Sequence, residues 1–346
     1  MQMAFTRRGV IGSGAAVATT LALRSGANAE APRLARVILD NDFAGDPDGL
    51  FQLAHHLLCK SLRISLIVGS HLPAMPFAGP DAPVPTGKAA AAKAQQLVDL
   101  MRLPAPPIVA GADAPIFDRK AWRPASSTAA IVREAMREDT AEPLIYCVGA
   151  GLTDLALAWL VEPRIGKRLK LVWIGGSEHA GLANAPPGAV EPEFNFSIDP
   201  LAAQVIFNDS DIEIWQVPRD AYRQMLFPNA EIEELATLGP LGAYLKAQVD
   251  KVSAIMASIP GIPPIPPTET YVLGDSPLVT LTALVTQFQP DPASSTYVRM
   301  PTPRIEPDGQ YVDNPATRPM RVYTHVDAEL TFRDMLAKFR AHMHAG

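Results

Sequence analysis

The chain has 346 residues, of which 48% are hydrophobic and 19% charged, and its formal net charge is −6. This apolar content is enough for a large core and excludes a disordered chain, although 34 residues are proline. The acidic balance excludes the basic surface that is typical of nucleic-acid-binding proteins.

The first thirty residues have the features of an export signal. Arg7 and Arg8 precede a weakly apolar stretch over 9–23, and Ala27-Asn28-Ala29 has the small-x-small pattern of a cleavage site. We therefore expect a twin-arginine signal peptide over residues 1–29 and a periplasmic or secreted mature protein. No stable membrane anchor is expected, because a span needs about 20 strongly apolar residues.

After this segment, strand-like and helix-like stretches alternate. The strand-like runs are "ARVILD", "LRISLIVG", "PIVAG", "PLIYCVG", "LKLVWIGG" and "IEIWQV". Stretches with helical spacing, such as "GLFQLAHHLLCK" and "LTDLALAWLV", lie between several of them. This order predicts one α/β domain over 33–346, with a mainly parallel central sheet and helices on both faces.

Three smaller features complete this outline. The proline-rich segment from His71 to Thr86 is predicted to be a long binding loop or lid. Cys59 and Cys147 are the only cysteines and have apolar neighbours, so two buried free thiols are expected. His55 and His56 fall inside a predicted helix, where structural roles are expected.

Four aspartates, Asp40, Asp42, Asp46 and Asp48, crowd the end of the first predicted strand. In parallel sheets, ligands bind at the carboxyl edge, where this cluster lies. Crowded carboxylates repel one another unless a cation or a shared proton lies between them.

Four interpretations of this cluster compete. A calcium-binding helix–loop–helix would begin at Asp40, but Ala44 and Phe51 stand where it needs ligands. A phosphatase of the haloacid dehalogenase type also begins with strand-Asp-x-Asp, but Val279 replaces the last aspartate of its second acidic motif. Caps of the next helix account for two of the four carboxylates. The fourth interpretation is a calcium site that activates water at a sugar.

A series of motifs favours the fourth interpretation. The run "DNDFAGDPDG" resembles the first signature of the inosine–uridine-preferring nucleoside hydrolases, in its longer-loop form D-x-D-x-x-x-D-x-D. Later runs are similar to further family motifs in the same order: "CVGAGLTDLALA", "VWIGG", "EFNFSIDPLAAQVIFN", "GDSPLV" and "VDAELTFRDML". The resemblance covers most of the mature chain. It implies a Rossmann-related fold and hydrolysis of the N-glycosidic bond of ribonucleosides.

The resemblance also implies one calcium ion per chain. Its ligands would be Asp42, Asp46 or Asp48, the Gly149 carbonyl and Asp275, all hard oxygen donors. Asp42 would in addition take the proton from the attacking water. Without the family context, a helix cap before "SPLVTLTAL" is the simpler role for Asp275.

On the sugar side, the resemblance implies contacts from Glu193 and Asn195 of "EFN". We expect an extended segment here, which would point Glu193 and Asn195 to one face and Phe194 to the other. A carboxylate and an amide on one face can bind adjacent ribose hydroxyls. The further substrate-binding candidates are Asp46, Asp48, Ser70, His71 and Asn184.

Three positions depart from the family pattern. Gly49 replaces an aspartate that is usually a bidentate metal ligand, so calcium binding is weakened unless Asp46 or Asp48 moves in. Ser70 replaces an asparagine, and Gly274 replaces a histidine near the leaving base. Candidates for an acid that assists the leaving group are His71, His179, Tyr222 and Tyr271.

The sequence therefore predicts an exported, calcium-dependent N-glycosyl hydrolase acting on a small-molecule nucleoside or related glycoside. The alternative is a non-catalytic exported binding protein that retains the pocket, and a phosphatase is the third hypothesis. No nucleic-acid partner is expected, and a homo-oligomer stays open. The sequence determines neither the base nor the sugar.

Overall fold

The computed structural model of the protein describes residues 33–73, 84–257, 268–286 and 294–345. The predicted signal peptide over 1–29 lies outside these residues, as does most of the predicted proline-rich loop, at 74–83. The described residues belong to one unit, Arg33–Gly346. None of the helices described in it has the length and apolar character that a membrane span requires.

An eight-stranded sheet forms the centre of this unit. Its strands, in spatial order, are β3 (Ile108–Ala110), β2 (Leu62–Gly69), β1 (Ala35–Asn41), β4 (Leu144–Val148), β5 (Leu169–Ile174), β6 (Glu213–Val217), β12 (Pro319–His325) and β9 (Thr296–Pro301). All neighbouring strands pair in parallel except β12 and β9. The predicted, mainly parallel sheet is confirmed.

Helices cover both faces of the sheet. The helices are α1 (Asp48–Leu57), α2 (Gly87–Met101), α3 (Thr128–Ala135), α4 (Thr153–Val161), α5 (Phe194–Ile198), α6 (Pro200–Gln204), α7 (Arg219–Tyr222), α8 (Asn229–Leu238), α9 (Pro240–Ala257), α10 (Pro277–Ala283) and α11 (Ala328–Ala345). Val37 and Leu39 of β1 pack into a core that includes residues of α1 and α2, whereas Ile38 packs into the opposite core with α4. Since both faces are covered, β1 is buried throughout, and its middle residues Val37–Leu39 are all apolar.

The remaining described elements are short. They comprise β7 (Leu226–Pro228), β8 (Thr270–Val272), β10 (Arg304–Ile305), β11 (Tyr311–Val312), a 3₁₀ turn at Pro163–Lys167 and a π turn at Val205–Asp209. Strands β7 and β8 pair with each other, as do β10 and β11. These pairs lie outside the main sheet.

The strand order reverses at β1. From β1 the chain moves outward to β2 and β3, then returns to the other side of β1 as β4. At such a switch point the loops after neighbouring strands separate and leave a crevice at the carboxyl edge. Asp42 follows β1 and Gly149 follows β4, so the fold places both residues at this crevice.

Candidate active site

Three carboxylates meet at the crevice. Asp42 and Asp275 are 6% and 3% exposed, and Asp48 is half-buried at the start of α1. The backbone of Gly149 lies against them, because a Cβ on Gly149 would fall 2.5 Å from Asp275 Oδ1. Only a glycine permits this close approach, which brings the end of β4 to the acid cluster.

The mutual repulsion of these carboxylates is visible in their pKa values. Burial, followed by the charges of Asp275, Asp46 and Asp40, raises the pKa of Asp42 well above its usual range. Burial raises the pKa of Asp275 to about 7, although hydrogen bonds with Asn41 and Asp48 act in the opposite direction. These surroundings disfavour the ionised carboxylates, and a cation bound among them would favour the ionised form.

Within the described residues, these three carboxylates accept few hydrogen bonds. Asp275 accepts one from Asn41 Nδ2 at 2.8 Å and shares a further one with Asp48, which also accepts one from the following amide of Gly49 at 2.8 Å. No described donor contacts the carboxylate of Asp42. Asp275 does not cap α10, whose first turn has Ser276 at the cap position without a side-chain hydrogen bond. The simpler role for Asp275 is therefore wrong.

Asp46 lies at the rim of the cluster. Its side chain is exposed, and its two oxygens accept hydrogen bonds from the Tyr271 hydroxyl at 3.1 and 3.0 Å. The same carboxylate accepts from the Asp48 amide at 3.1 Å. Asp48 therefore lies beside Asp275, whereas Asp46 is hydrogen-bonded to Tyr271 at the rim.

The segment around Glu193 is not extended, so that prediction is wrong. Glu193 is the N-cap of α5, and Phe194 already belongs to the helix. The Glu193 carboxylate accepts from the amides of Gly176, Asn195 and Phe196 and from the Tyr222 hydroxyl. A carboxylate at an N-cap is favoured because it satisfies free helix amides, and this choice overrides the alternation of a strand.

Tyr222 links Glu193 to the acid cluster. Its hydroxyl donates to Glu193 Oε1 at 2.8 Å. A Cβ on Gly274 would lie 3.3 Å from both Tyr222 Cδ2 and Asp48 Oδ2, so one small residue separates the tyrosine from the cluster. Asn195 is also nearby in the chain, and its amide donates to the carbonyl of Ile174, the last residue of β5, at 2.8 Å. Glu193, Tyr222 and Asp48 thereby form one continuous wall.

The proposed leaving-group acids differ in their surroundings. Burial and neighbouring carboxylates raise the pKa values of Tyr222 and Tyr271. His179 is buried, accepts or donates one hydrogen bond with Gln216 at 2.8 Å and stacks on Tyr311 with ring centroids 4.1 Å apart. Burial lowers the pKa of His179, so its ring is neutral at pH 7.

The remaining substrate-binding candidates from the sequence differ in how deeply their side chains are buried. Ser70 is buried and donates to Asp40, which also accepts from the Tyr146 hydroxyl at 2.7 Å, so the Ser70 hydroxyl points behind the crevice. His71 is 1% exposed, and burial lowers its pKa. Asn184 is exposed.

A second group of possible metal ligands lies between α1 and α11. Among the described residues, His55, Cys59 and Asp334 alone bring three such ligand atoms within 4.8 Å of one another. His55 Nε2 lies 2.7 Å from Asp334 Oδ2, and the Lys338 ammonium contacts both Asp334 and Cys59 Sγ. The ammonium already supplies positive charge there. The prediction of two buried free thiols, Cys59 and Cys147, is confirmed, and His55 is buried within α1.

Asn41 is the site residue that sequence reasoning missed. It stands between Asp40 and Asp42, and its amide donates to Asp275 while its Oδ1 accepts from the Asp42 amide at 2.8 Å. The signal was available, because a buried polar residue between two aspartates at a strand end needs polar partners. Its partner Asp275 is 234 positions away in the chain, which no local pattern reveals.

Comparison with known proteins defines the class to which this fold and site belong. The family model of the inosine-uridine preferring nucleoside hydrolases matches residues 73–333. A purine-preferring ribonucleoside hydrolase from Gardnerella vaginalis superimposes with a TM-score of 0.69 at 16% identity, covering 90% of this chain and 100% of that one. The fold is therefore that of a nucleoside hydrolase.

Curated relatives add local sequence similarity. The inosine-uridine preferring nucleoside hydrolase of Leishmania major is 39% identical over 100 residues, which are 29% of this chain and 30% of that protein. The same enzyme from Crithidia fasciculata is 46% identical over 68 residues, 19% of each chain. The alignments thus span less than a third of these two relatives. The chain belongs to the inosine-uridine preferring nucleoside hydrolase family.

Proposed function

We propose that the protein hydrolyses the N-glycosidic bond of ribonucleosides or related N-glycosides and releases the free base and the sugar. The observation that carries this proposal is the acid cluster of Asp42, Asp48 and Asp275 at the switch point of the sheet. Asp42 and Asp275 are buried and Asp48 is half-buried, and the three carboxylates have few internal donors, so their oxygens are available to a ligand.

We further propose that one Ca²⁺ ion binds at this cluster. The donor set fits a hard divalent cation: the carboxylates of Asp42, Asp48 and Asp275 with the backbone carbonyl of Gly149. When bound, the ion would neutralise the cluster and lower the pKa of the attacking water.

Asp42 is the general base in this proposal. Its carboxylate accepts no hydrogen bond from the described residues, so its oxygens are left for the attacking water and for the cation. Asp42 takes one proton from water as the water oxygen attacks the anomeric carbon, and the C–N bond electrons leave with the base. The departing nitrogen takes up a proton, so that water is divided between sugar and base.

The wall formed by Glu193, Tyr222 and Asp48 orients the sugar. Tyr222 lies next to the cluster across Gly274, and it is therefore better placed to contact the sugar or the base than His179, which is stacked on Tyr311. Glu193 already has four donors on its carboxylate, so its first role is to hold this wall rigid. A rigid wall supports catalysis because misplaced substrate reacts slowly.

A panel of purified ribonucleosides and deoxyribonucleosides tests the function. We expect release of free base, measured by chromatography, to depend on Ca²⁺ and to be abolished by chelation. Elemental analysis of gently purified protein should find about one calcium per chain, by the coordination logic of hard oxygen ligands. Asp42→Asn, which keeps the side-chain shape, is the matched negative control.

The departures at Gly49 and Gly274 favour one alternative, a binding protein without turnover. This alternative predicts that ribonucleosides bind in the presence of calcium, that no base is released from any of them, and that Asp42→Asn binds as tightly as the wild type. That combination of results would overturn the hydrolase proposal, but ribonucleosides would still be the ligands of the protein.

We also propose export of the protein, which the paired residues Arg7-Arg8 and the Ala27-Asn28-Ala29 pattern support. Replacement of both arginines by lysine should retain the precursor in the cytoplasm. Unchanged export of this variant would indicate a different export route.

A further inference from the structure

The side-chain amide of Asn41 lies against Asp275 and the backbone of Gly149, two members of the proposed cation site. Its Nδ2 donates to Asp275 Oδ2 at 2.8 Å and reaches Gln52 Oε1 at 3.4 Å. A Cβ added to Gly149 would fall 2.5 Å from this nitrogen, and a Cβ added to Gly49 would fall 2.9 Å from it. One N–H donor thus lies among Asp275, the end of β4 and the first turn of α1.

The geometry points to Asn41 and Gly49 as a matched pair that limits the cation site to three carboxylates. Asn41 fills the space that an acidic side chain on position 49 would need, and Gly49 leaves that space open for the amide. This inference rests on the proposed cation at the aspartate cluster. It makes Asn41 a positioning residue, which acts through Asp42 and Asp275.

Two contacts define how Asn41 positions its neighbours. Its Nδ2 holds Oδ2 of Asp275 and thereby orients the carboxylate so that Oδ1 is the oxygen close to Gly149. Its Oδ1 accepts from the Asp42 amide and fixes the backbone from which the proposed base projects. The Asn41 amide is neutral. It therefore orients both residues without adding a fourth carboxylate beside Asp42 and Asp275, whose pKa values are already raised.

The pair also explains why a single substitution at position 49 would not create a stronger site. Gly49 lies in helical α1, where other residues fit the backbone, so the obstacle is the Asn41 side chain itself. All three Asn41 atoms nearest to the added Cβ, at 2.9 to 3.1 Å, belong to its terminal amide group. The amide is held in place by its hydrogen bonds with Asp275 and with the Asp42 amide, so moving it away would break contacts inside a buried site, and overpacking such a site is unfavourable.

Calcium titrations of four purified proteins test the pair: wild type, Gly49→Asp, Asn41→Ser/Gly49→Asp and Asn41→Ser/Gly49→Asn. Binding is measured by isothermal calorimetry, and melting temperature is recorded with and without calcium. The last protein is the matched control, because it has the same shape at position 49 without the charge.

We expect Asn41→Ser/Gly49→Asp to bind calcium at least about tenfold more tightly than the wild type, since affinity follows the number of charged ligands. Gly49→Asp alone should not bind more tightly and should melt at a lower temperature than the wild type. The asparagine control should melt like the double aspartate variant without calcium and gain less on its addition.

Two results would overturn the inference while leaving the function intact. One is Gly49→Asp binding calcium as tightly as the double variant, which would mean that Asn41 does not fill the space. The other is a folded double variant with unchanged calcium affinity. A wild type that neither binds calcium nor melts higher in its presence would instead contradict the proposed cation site itself.

Discussion

Two groups of three aspartates lie in the described part of the chain, and they differ in what their oxygens contact. The structural group consists of Asp40, Asp154 and Asp199, and the site group of Asp42, Asp48 and Asp275. Each member of the structural group accepts at least two hydrogen bonds. In the site group, Asn41 donates to Asp275, the Gly49 amide donates to Asp48, Asp48 and Asp275 share a side-chain hydrogen bond, and no described donor contacts Asp42.

The donors show how the protein uses each group. Asp199 accepts from the amides of Ile116 and Ala202 and from the Thr153 hydroxyl, and it thereby joins three segments of the chain. A buried carboxylate with such partners is part of the framework. Since the site group has few internal partners, its charge is left for a cation and for a proton from water. Five of these six aspartates are buried and Asp48 is half-buried, so burial alone does not distinguish framework from function.

The largest expected effect comes from the site group. Asp42→Asn should lower turnover by about 10²–10⁴-fold, the usual contribution of a general base. The metal-free variant should melt no lower than the wild type, because it removes a charge that burial and neighbouring carboxylates disfavour. Kinetics and thermal melting of the same preparation check both statements. A marked fall in melting temperature would show that Asp42 stabilises the fold, as the members of the structural group do.

The converse substitution is Asp199→Ala in the structural group. It leaves three buried donors without an acceptor and removes the N-cap of α6. We expect the free energy of unfolding to fall by about 3 kcal/mol, measured by chemical denaturation. Activity per folded molecule should stay within a few-fold of the wild type. Asp199→Asn, which keeps one acceptor oxygen, is the milder control.

The pH dependence of stability sharpens the comparison further. Burial raises the pKa of Asp154 to about 6 from its ordinary value of 3.8, so the folded state binds this proton more tightly than the unfolded state. The contribution of Asp154 to stability is therefore lost as pH rises from about 4 to about 6. Relative to Asp154→Asn, the metal-free wild type should lose up to about 3 kcal/mol over that range. Parallel pH curves for the two proteins would contradict this assignment.

The smallest expected effect concerns the link between the site group and Glu193. Tyr222→Phe removes the hydroxyl that donates to Glu193 Oε1 but leaves the three backbone donors to that carboxylate. A single hydrogen bond of this kind contributes about 0.5–1.5 kcal/mol, so we expect a several-fold rise in KM and little change in melting temperature. A loss of turnover comparable to that of Asp42→Asn would indicate that Tyr222 also protonates the leaving base.

The alternation of apolar runs was enough to predict the fold. The strands from β1 to β6 lie where the sequence patterns place them, because strands covered on both faces must be almost wholly apolar. The prediction for Glu193 was wrong for a local reason. The residues "EFN" are compatible with a strand and with a helix N-cap. The four hydrogen-bond donors that stabilise Glu193 at the N-cap come from Gly176, Tyr222 and the helix itself.

The sequence by itself determined that acidic residues end the first strand, that further polar motifs follow in family order and that these groups lie at one edge of the sheet. Only the tertiary structure decided which of these acidic residues lie together in one cluster. Asp275 meets Asn41 across 234 positions, Asp48 rather than Asp46 joins it, and Asp40 turns away to Ser70 and Tyr146. Local sequence fixes where each strand ends, but hydrogen-bond partners depend on distances between segments that only packing brings together.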